Sequence, residues 1–121
     1  VLDKGFTVVT TAATQFQAVK QVAGQPEQVT PVTGLTDLAI GIIQQPVATA
    51  DLAKQVADVR ILGISKAVCG GTVAVGDKVK VDATGKVITT TTALDKVVGI
   101  AVSGGVVNDI IDVLLTPGAT I

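Results

Sequence analysis

Cys69 is the most reactive residue type in this chain, and it has no partner. It is the one cysteine among 121 residues, and there is no histidine, so Cys/His and Ser/His nucleophile pairs and His/Cys zinc sites are excluded. Its surroundings, KAVCGGTV, place no base beside the thiol, so Cys69 is expected to be a small buried hydrophobe beside a turn. One cysteine makes no internal disulfide, which fits a reducing compartment. Ten carboxylates remain. Asp77 and Asp82 flank a short strand, but DATGK lacks the alternating oxygen ligands of a calcium loop, and both are expected to be solvated turn residues. CGGTVAVG has glycines but no following Lys and Ser/Thr and no helix to aim at a phosphate, so it is not a phosphate-binding loop. Lys78, Lys80 and Lys86 fall around one hairpin. A solvated strand face is the favoured reading of them over a contact patch for an acidic partner. No catalytic set, metal site or cofactor site emerges, and the chain is not expected to be an enzyme.

The elements that would position such groups are strands. Apolar residues make up 48% of the chain, with two Phe and no Trp, Tyr or Met, and the predominance of Val, Ile and Thr favours strand over helix. Nine basic and ten acidic residues give a net charge of −1 without a run of either sign, which points away from nucleic acid and anionic membranes. The scarcity of aromatics leaves little for stacking on bases or sugars. Apolar runs such as residues 39–43 and 97–102 are far shorter than the ~20 residues of a spanning helix. No basic, apolar and small-residue signal opens the sequence, so a soluble, untargeted single domain is expected.

The chain is also internally duplicated. A shift of 58 positions lays VTPVTGLTDLAIGII (residues 29–43) over VITTTTALDKVVGIA (residues 87–101), with identities at Val29/Val87, Thr33/Thr91, Asp37/Asp95, Gly41/Gly99 and Ile42/Ile100. Val19 and Lys20 match Val79 and Lys80 at a shift of 60, and Asp58 and Val59 match Asp112 and Val113 at a shift of 54. Two related halves are therefore expected, at about residues 17–63 and 75–118. Two copies are too few for a solenoid.

Each half is expected to run strand, turn, strand, glycine-containing strand, loop, alternating strand: residues 16–22, 29–32, 37–44 and 57–62, then 78–82, 87–90, 95–102 and 110–115. The period of two is clearest in KVKVDATGKV, where Val79 and Val81 face inward and Gly85 turns the hairpin. TADLAKQV offers helical spacing, and one short helical turn is expected near residues 50–55. Residues 1–15 stand outside the duplication. Their FTVVTT reads as a strand with apolar residues on both faces, so a partner on another molecule is expected.

Gly41 and Gly99 occupy equivalent strand centres in DLAIGIIQ and DKVVGIAV. Glycine inside a strand marks a bulge, a bend or a close crossing, and the two are expected to be structural, at the crossing of the halves in a closed sheet.

The order of motifs VAVGDKV, DATGKV, VVGIA and IDVLL, preceded by FQAVKQVAG, AIGIIQQP and VRILGISKAV, resembles the capsid decoration, or cement, proteins of tailed bacteriophages. The resemblance covers residues 16–115. It implies an all-β fold, a small β-barrel or β-sandwich of two pseudo-repeated halves (one β-domain at 16–121) with an extended N-terminal arm at 1–15. It also implies a structural virion protein on the outer capsid surface, made in the host cytoplasm, whose partners are the major capsid protein and itself as a homotrimer. Such a protein would stabilise the assembled shell by bridging neighbouring coat subunits. Residues Phe6, Thr7, Val8, Val9 and Thr10 of the arm are the candidates for that contact, by strand addition to a coat-protein edge. The alternative is a β-rich binding module of fibre or adhesin type that recognises a surface glycan or protein. A swinging-arm carrier domain is a weaker alternative, since Lys86 follows the hairpin glycine instead of sitting at its tip.

Overall fold

The computed structural model describes residues 2–92 and 95–120, the last four as backbone. Val1 and Ile121, the outermost residues of the expected arm and β-domain, lie outside the described residues. Among the described residues nine strands form: β1 (Leu2–Val8), β2 (Ala18–Gln21), β3 (Gln28–Pro31), β4 (Gly41–Ile43), β5 (Val56–Val68), β6 (Lys78–Val81), β7 (Val87–Thr89), β8 (Lys96–Ala101) and β9 (Ile110–Thr120). Alternation decides which side chains turn inward. Along β5 Ala57 and Val59 are buried while Asp58 is exposed, and along β6 Val79 and Val81 are buried while Lys78 is exposed. The expected helical turn is a single 3-10 turn at Thr49–Asp51. Ala53 ends it with φ 63° and donates its N–H to the Val8 carbonyl at 2.8 Å.

The strand order is β1-β3-β2-β4-β5-β9-β8-β6-β7, and β1 also pairs with β5. The first five strands therefore close on themselves as a small β-barrel. β1 runs antiparallel to β5 from Leu2↔Leu62 to Thr7↔Val56 and parallel to β3 at Thr7↔Gln28 and Val8↔Val29. The expectation of a free arm is thus corrected. FTVVTT contributes a barrel wall, with Phe6 6% and Val8 0% exposed, because burying two large apolar side chains and pairing both strand edges within the chain outweighs leaving them for another molecule.

The second half repeats this arrangement as β5-β9-β8-β6-β7, with Cys69 bridging parallel to Val87 as Val8 does to Val29. β5 is shared. Its first part closes the first barrel, and its second part plays for the second half the role that β1 plays for the first. Thr7↔Val56 corresponds to Val68↔Ile110, and Phe6↔Ala57 to Ala67↔Ile111. The duplication thus starts inside the segment expected to be an arm, and the boundary at residue 16 falls within a repeat. Phe16 (φ 64°) stands where the second half has Gly76 (φ 88°). Their N–H groups donate to the equivalent carbonyls of Ile43 and Ala101, at 2.9 and 2.8 Å.

Phe6, Val8, Val19, Val29, Ile43 and Val59 fill the first barrel. Val79, Val81, Val87, Ile111 and Val113 fill the second, and Ala18, Val32 and Ile42 of the first half pack onto that cluster. The seam also carries hydrogen bonds, Ala18 N–H to the Gly85 carbonyl and Gln17 Nε2 to the Thr84 carbonyl, both 2.9 Å.

The two strand glycines sit where the next strand of their own half crosses. A Cβ on Gly41 would strike the Arg60 carbonyl oxygen and lie 2.9 Å from Val59 Cγ1; one on Gly99 would strike the Leu114 carbonyl oxygen and lie 2.7 Å from Val113 Cγ1. The crossing is thus β4 over β5 and β8 over β9, and not one half over the other. Because the obstacle is backbone, it cannot rotate away. Gly41→Val and Gly99→Val are each expected to lower stability by about 1–3 kcal/mol through overpacking, read as a lower urea midpoint at unchanged slope. Deleting residues 1–8 is expected to abolish the cooperative unfolding transition, since it opens the first barrel.

Candidate interaction surface

The polar groups that could have done chemistry are used by the fold. Asp77 accepts hydrogen bonds from the Ala74 N–H at 3.0 Å and the Thr89 hydroxyl at 2.9 Å. Asp82 accepts from the Thr84 and Lys86 N–H groups at 2.8 and 3.0 Å and so organises the hairpin turn. Among the described residues no group of three or more His, Cys, Asp or Glu is placed to hold a metal ion, and no helix is long and apolar enough to cross a membrane. Cys69 is 0% exposed, and burial, followed by the nearby Asp109 charge, pushes its thiol up from the ordinary value, the opposite of an activated nucleophile.

The lysines do not act together. Lys80 pairs with Asp95 at 2.9 Å, Lys86 donates to the Asn108 side-chain oxygen at 2.8 Å, and Lys78 is exposed. The Lys80–Asp95 pair has a twin in Lys20–Asp37 at 3.0 Å. All four residues occupy matched positions of the duplication. The matches were visible in sequence, but the pairing was not, because it depends on β2 and β6 lying beside the segments that lead into β4 and β8. Each Asp also ties down its own loop: Asp37 accepts from the Thr33 and Gly34 N–H groups at 2.9 and 3.1 Å, and Asp95 from the Thr90 hydroxyl.

Of the residues expected to touch a partner, Phe6 and Val8 are core, Thr7 and Val9 are half-buried and Thr10 is exposed with φ 73°. The N–H groups of Thr7 and Val9 donate to the Glu27 and Val29 carbonyls at 2.8 and 3.0 Å. The segment therefore has no free edge there for strand addition.

What the molecule does present is apolar surface. On the outer face where the barrels meet, Leu62, Ile64 and Leu114 are exposed, with Leu2 paired across from Leu62 and Ile64 across from Leu114. Lys66 with Asp112 (3.6 Å) and Arg60 with Asp3 (2.9 Å) flank this stripe, giving the apolar centre and charged rim of a contact surface. A second exposed group, Val75 and Val102, lies at the loop end of the second half, where the equivalent first-half positions are Gln15 and Gln44. This surface was missed in sequence because Leu62, Ile64 and Leu114 look like ordinary strand residues until the register shows which face they occupy.

No protein-family model matches the sequence, and no curated protein matches it. Among solved structures the chain is similar to the N base of the head fibre gp8.5 of bacteriophage phi29, with a TM-score of 0.75 and 13% identity over 95% of this chain and 93% of that one. At that identity the likeness is one of fold.

The carboxylates allow a test of the twin ion pairs. The Thr33 backbone N–H, with Lys20 next, holds Asp37 below the ordinary aspartate range, and the Thr90 hydroxyl, with Lys80 next, does the same for Asp95. A depressed folded value means stability that is fully present above the ordinary value of about 3.9 and is lost as pH falls through the folded value. The melting temperature is expected to be flat from about pH 7 to 5 and to drop below about pH 4. Asp37→Asn should cost about 1 kcal/mol at neutral pH, and the Asp37→Asn/Asp95→Asn double variant should show a shallower acid slope.

Proposed function

We propose that this chain is a structural protein of a tailed-phage virion, seated on the outside of the assembled capsid, where it stabilises the shell by bridging neighbouring major capsid protein subunits as a homotrimer. The observation that carries the reading is the likeness, over nearly its whole length, to the base of a phage head fibre. It is supported by the independent resemblance of motif order to capsid decoration proteins. The chemistry agrees. The carboxylates Asp37, Asp77, Asp82 and Asp95 are engaged in turns and ion pairs, and the exposed stripe of Leu62, Ile64 and Leu114 offers a binding face. The role calls for no catalysis and no cofactor. Repetition over a shell would make modest contacts collectively strong.

The second reading, a fibre-type module that recognises a glycan or surface protein, is favoured by the neighbour being a fibre base. It is opposed by the placement of both aromatic rings, Phe6 buried in the core of the first barrel and Phe16 half-buried against the core of the second, which leaves neither ring openly displayed to stack on a sugar. A glycan array separates the two.

The direct test is co-sedimentation with shells assembled from the major capsid protein of the same genome, with mass in solution measured alongside. Saturable binding by a trimer is expected, and Ile64→Asp/Leu114→Asp is expected to weaken it at least about tenfold while leaving the melting curve intact, since both side chains are exposed and central to an apolar contact. Absence of binding to expanded and unexpanded shells alike refutes the reading.

A further inference from the structure

The two halves match strand for strand but end differently. In the second half β9 continues past Leu115 and pairs with β8 at Val97↔Ala119 and Lys96↔Thr120. The first-half equivalents of Lys96 and Val97, 58 positions earlier, are Leu38 and Ala39. Beside them the corresponding strand is missing. β5 pairs with β4 at Ile42↔Arg60, takes a left-handed residue at Gly63 (φ 99°) and leaves to pair with β9. Among the described residues no other strand takes its place. An open hollow lies there instead, lined among the described residues by Phe6, Leu38, Ala39, Ile40, Ile61 and Leu62 and by the polar Gln21. Leu38 and Leu62 are about half exposed, at 47% and 53%.

We propose that this hollow is a strand-docking slot, in which an extended, uncharged segment of a partner protein adds antiparallel beside Leu38 and Ala39 and completes the first half as residues 116–120 complete the second. Main-chain hydrogen bonds would supply affinity and the apolar lining selectivity, the logic of strand addition. Two observations fix the chemistry of the occupant. Among the described residues the lining carries no charged side chain, so a charged segment would be desolvated without compensation. The strand that fills the equivalent position in the second half, Thr-Pro-Gly-Ala-Thr, is itself uncharged. A second copy of this chain is not the occupant, because its own strand of that register is already paired with its β8, and exchanging it would empty one slot for each one filled. The inference goes beyond the virion role and stands or falls independently of whether the chain binds a shell.

The test is an amide NMR titration of the full chain with the acetylated peptide LLTPGAT, the sequence of residues 114–120. Saturable shifts are expected at Leu38, Ala39, Ile40 and Leu62, with binding at least about tenfold weaker for Leu38→Asp and for the peptide LDTPGDT. Leu62→Asp serves as the second variant should Leu38→Asp disturb the fold. Absence of shifts at these residues up to about 5 mM peptide, or shifts confined to β8 through competition with β9, overturns the proposal. So does a wild-type oligomer that Leu38→Asp converts to monomer, since a second copy would then fill the slot.

Discussion

Everything in this molecule depends on one strand having two sets of neighbours. β5, thirteen residues long, is bound by β1 and β4 along its first part and by β9 along its second. A strand edge left bare carries unpaired N–H and C=O groups and invites association. Here closure is reached in the first half by bringing the chain's first residues back to β5, and in the second by letting β5 itself act as the opening strand. The Gly63 backbone, at φ 99°, is the point where one role passes to the other, and only a residue without a Cβ takes that conformation at little cost.

Much of the fold was legible in the sequence wherever one strand alone reported its surroundings. Val79 and Val81 alternate with lysines, Ala57 and Val59 with charges, and the glycine strands align by simple shift; each signal is local, and each expected strand is present, although β5 and β9 run on to Val68 and Thr120, past the ends expected at residues 62 and 115. What could not be read was register between distant segments. FTVVTT looked two-faced because Val9 follows Val8, but Phe6 and Val8 share the inward face and the strand's partners lie far along the chain. Nor did the duplication reveal its true start, because Phe16 holds a left-handed position where the other half has Gly76. An aromatic in place of glycine erases the match that the backbone keeps. The candidate surface was hidden for the same reason, since the facing of Ile64 and Leu114 follows only from their pairing.

The distribution of polar groups is economical. Side chains that might have assembled into a reactive centre instead replace missing backbone partners: Asp37, Asp77 and Asp82 each accept N–H groups that turns leave over, and the buried Ser65 hydroxyl accepts from Gln44 Nε2 at 2.9 Å. Burying a polar group without a partner costs more than a hydrogen bond contributes, so small barrels with little interior use their carboxylates this way. With those groups engaged, the outer faces of the two halves differ in apolar residues at the seam and in Val75 and Val102 where the first half has Gln15 and Gln44.

The pairing of β1 with β5 also sets the order in which the molecule can assemble. Asp3 meets Arg60 at a sequence separation of 57, and contacts of that separation are entropically expensive to form and slow to search for. Until β5 has left the ribosome a nascent chain can pair its first strand only at Thr7 and Val8, with β3, whereas the later hairpin of β6 and β7 closes over a handful of residues. The second half likewise closes only when β9 reaches β5, from Val68↔Ile110 to Gly63↔Leu115, so each half waits on a distant strand and until then leaves an exposed edge that a chaperone would have reason to hold.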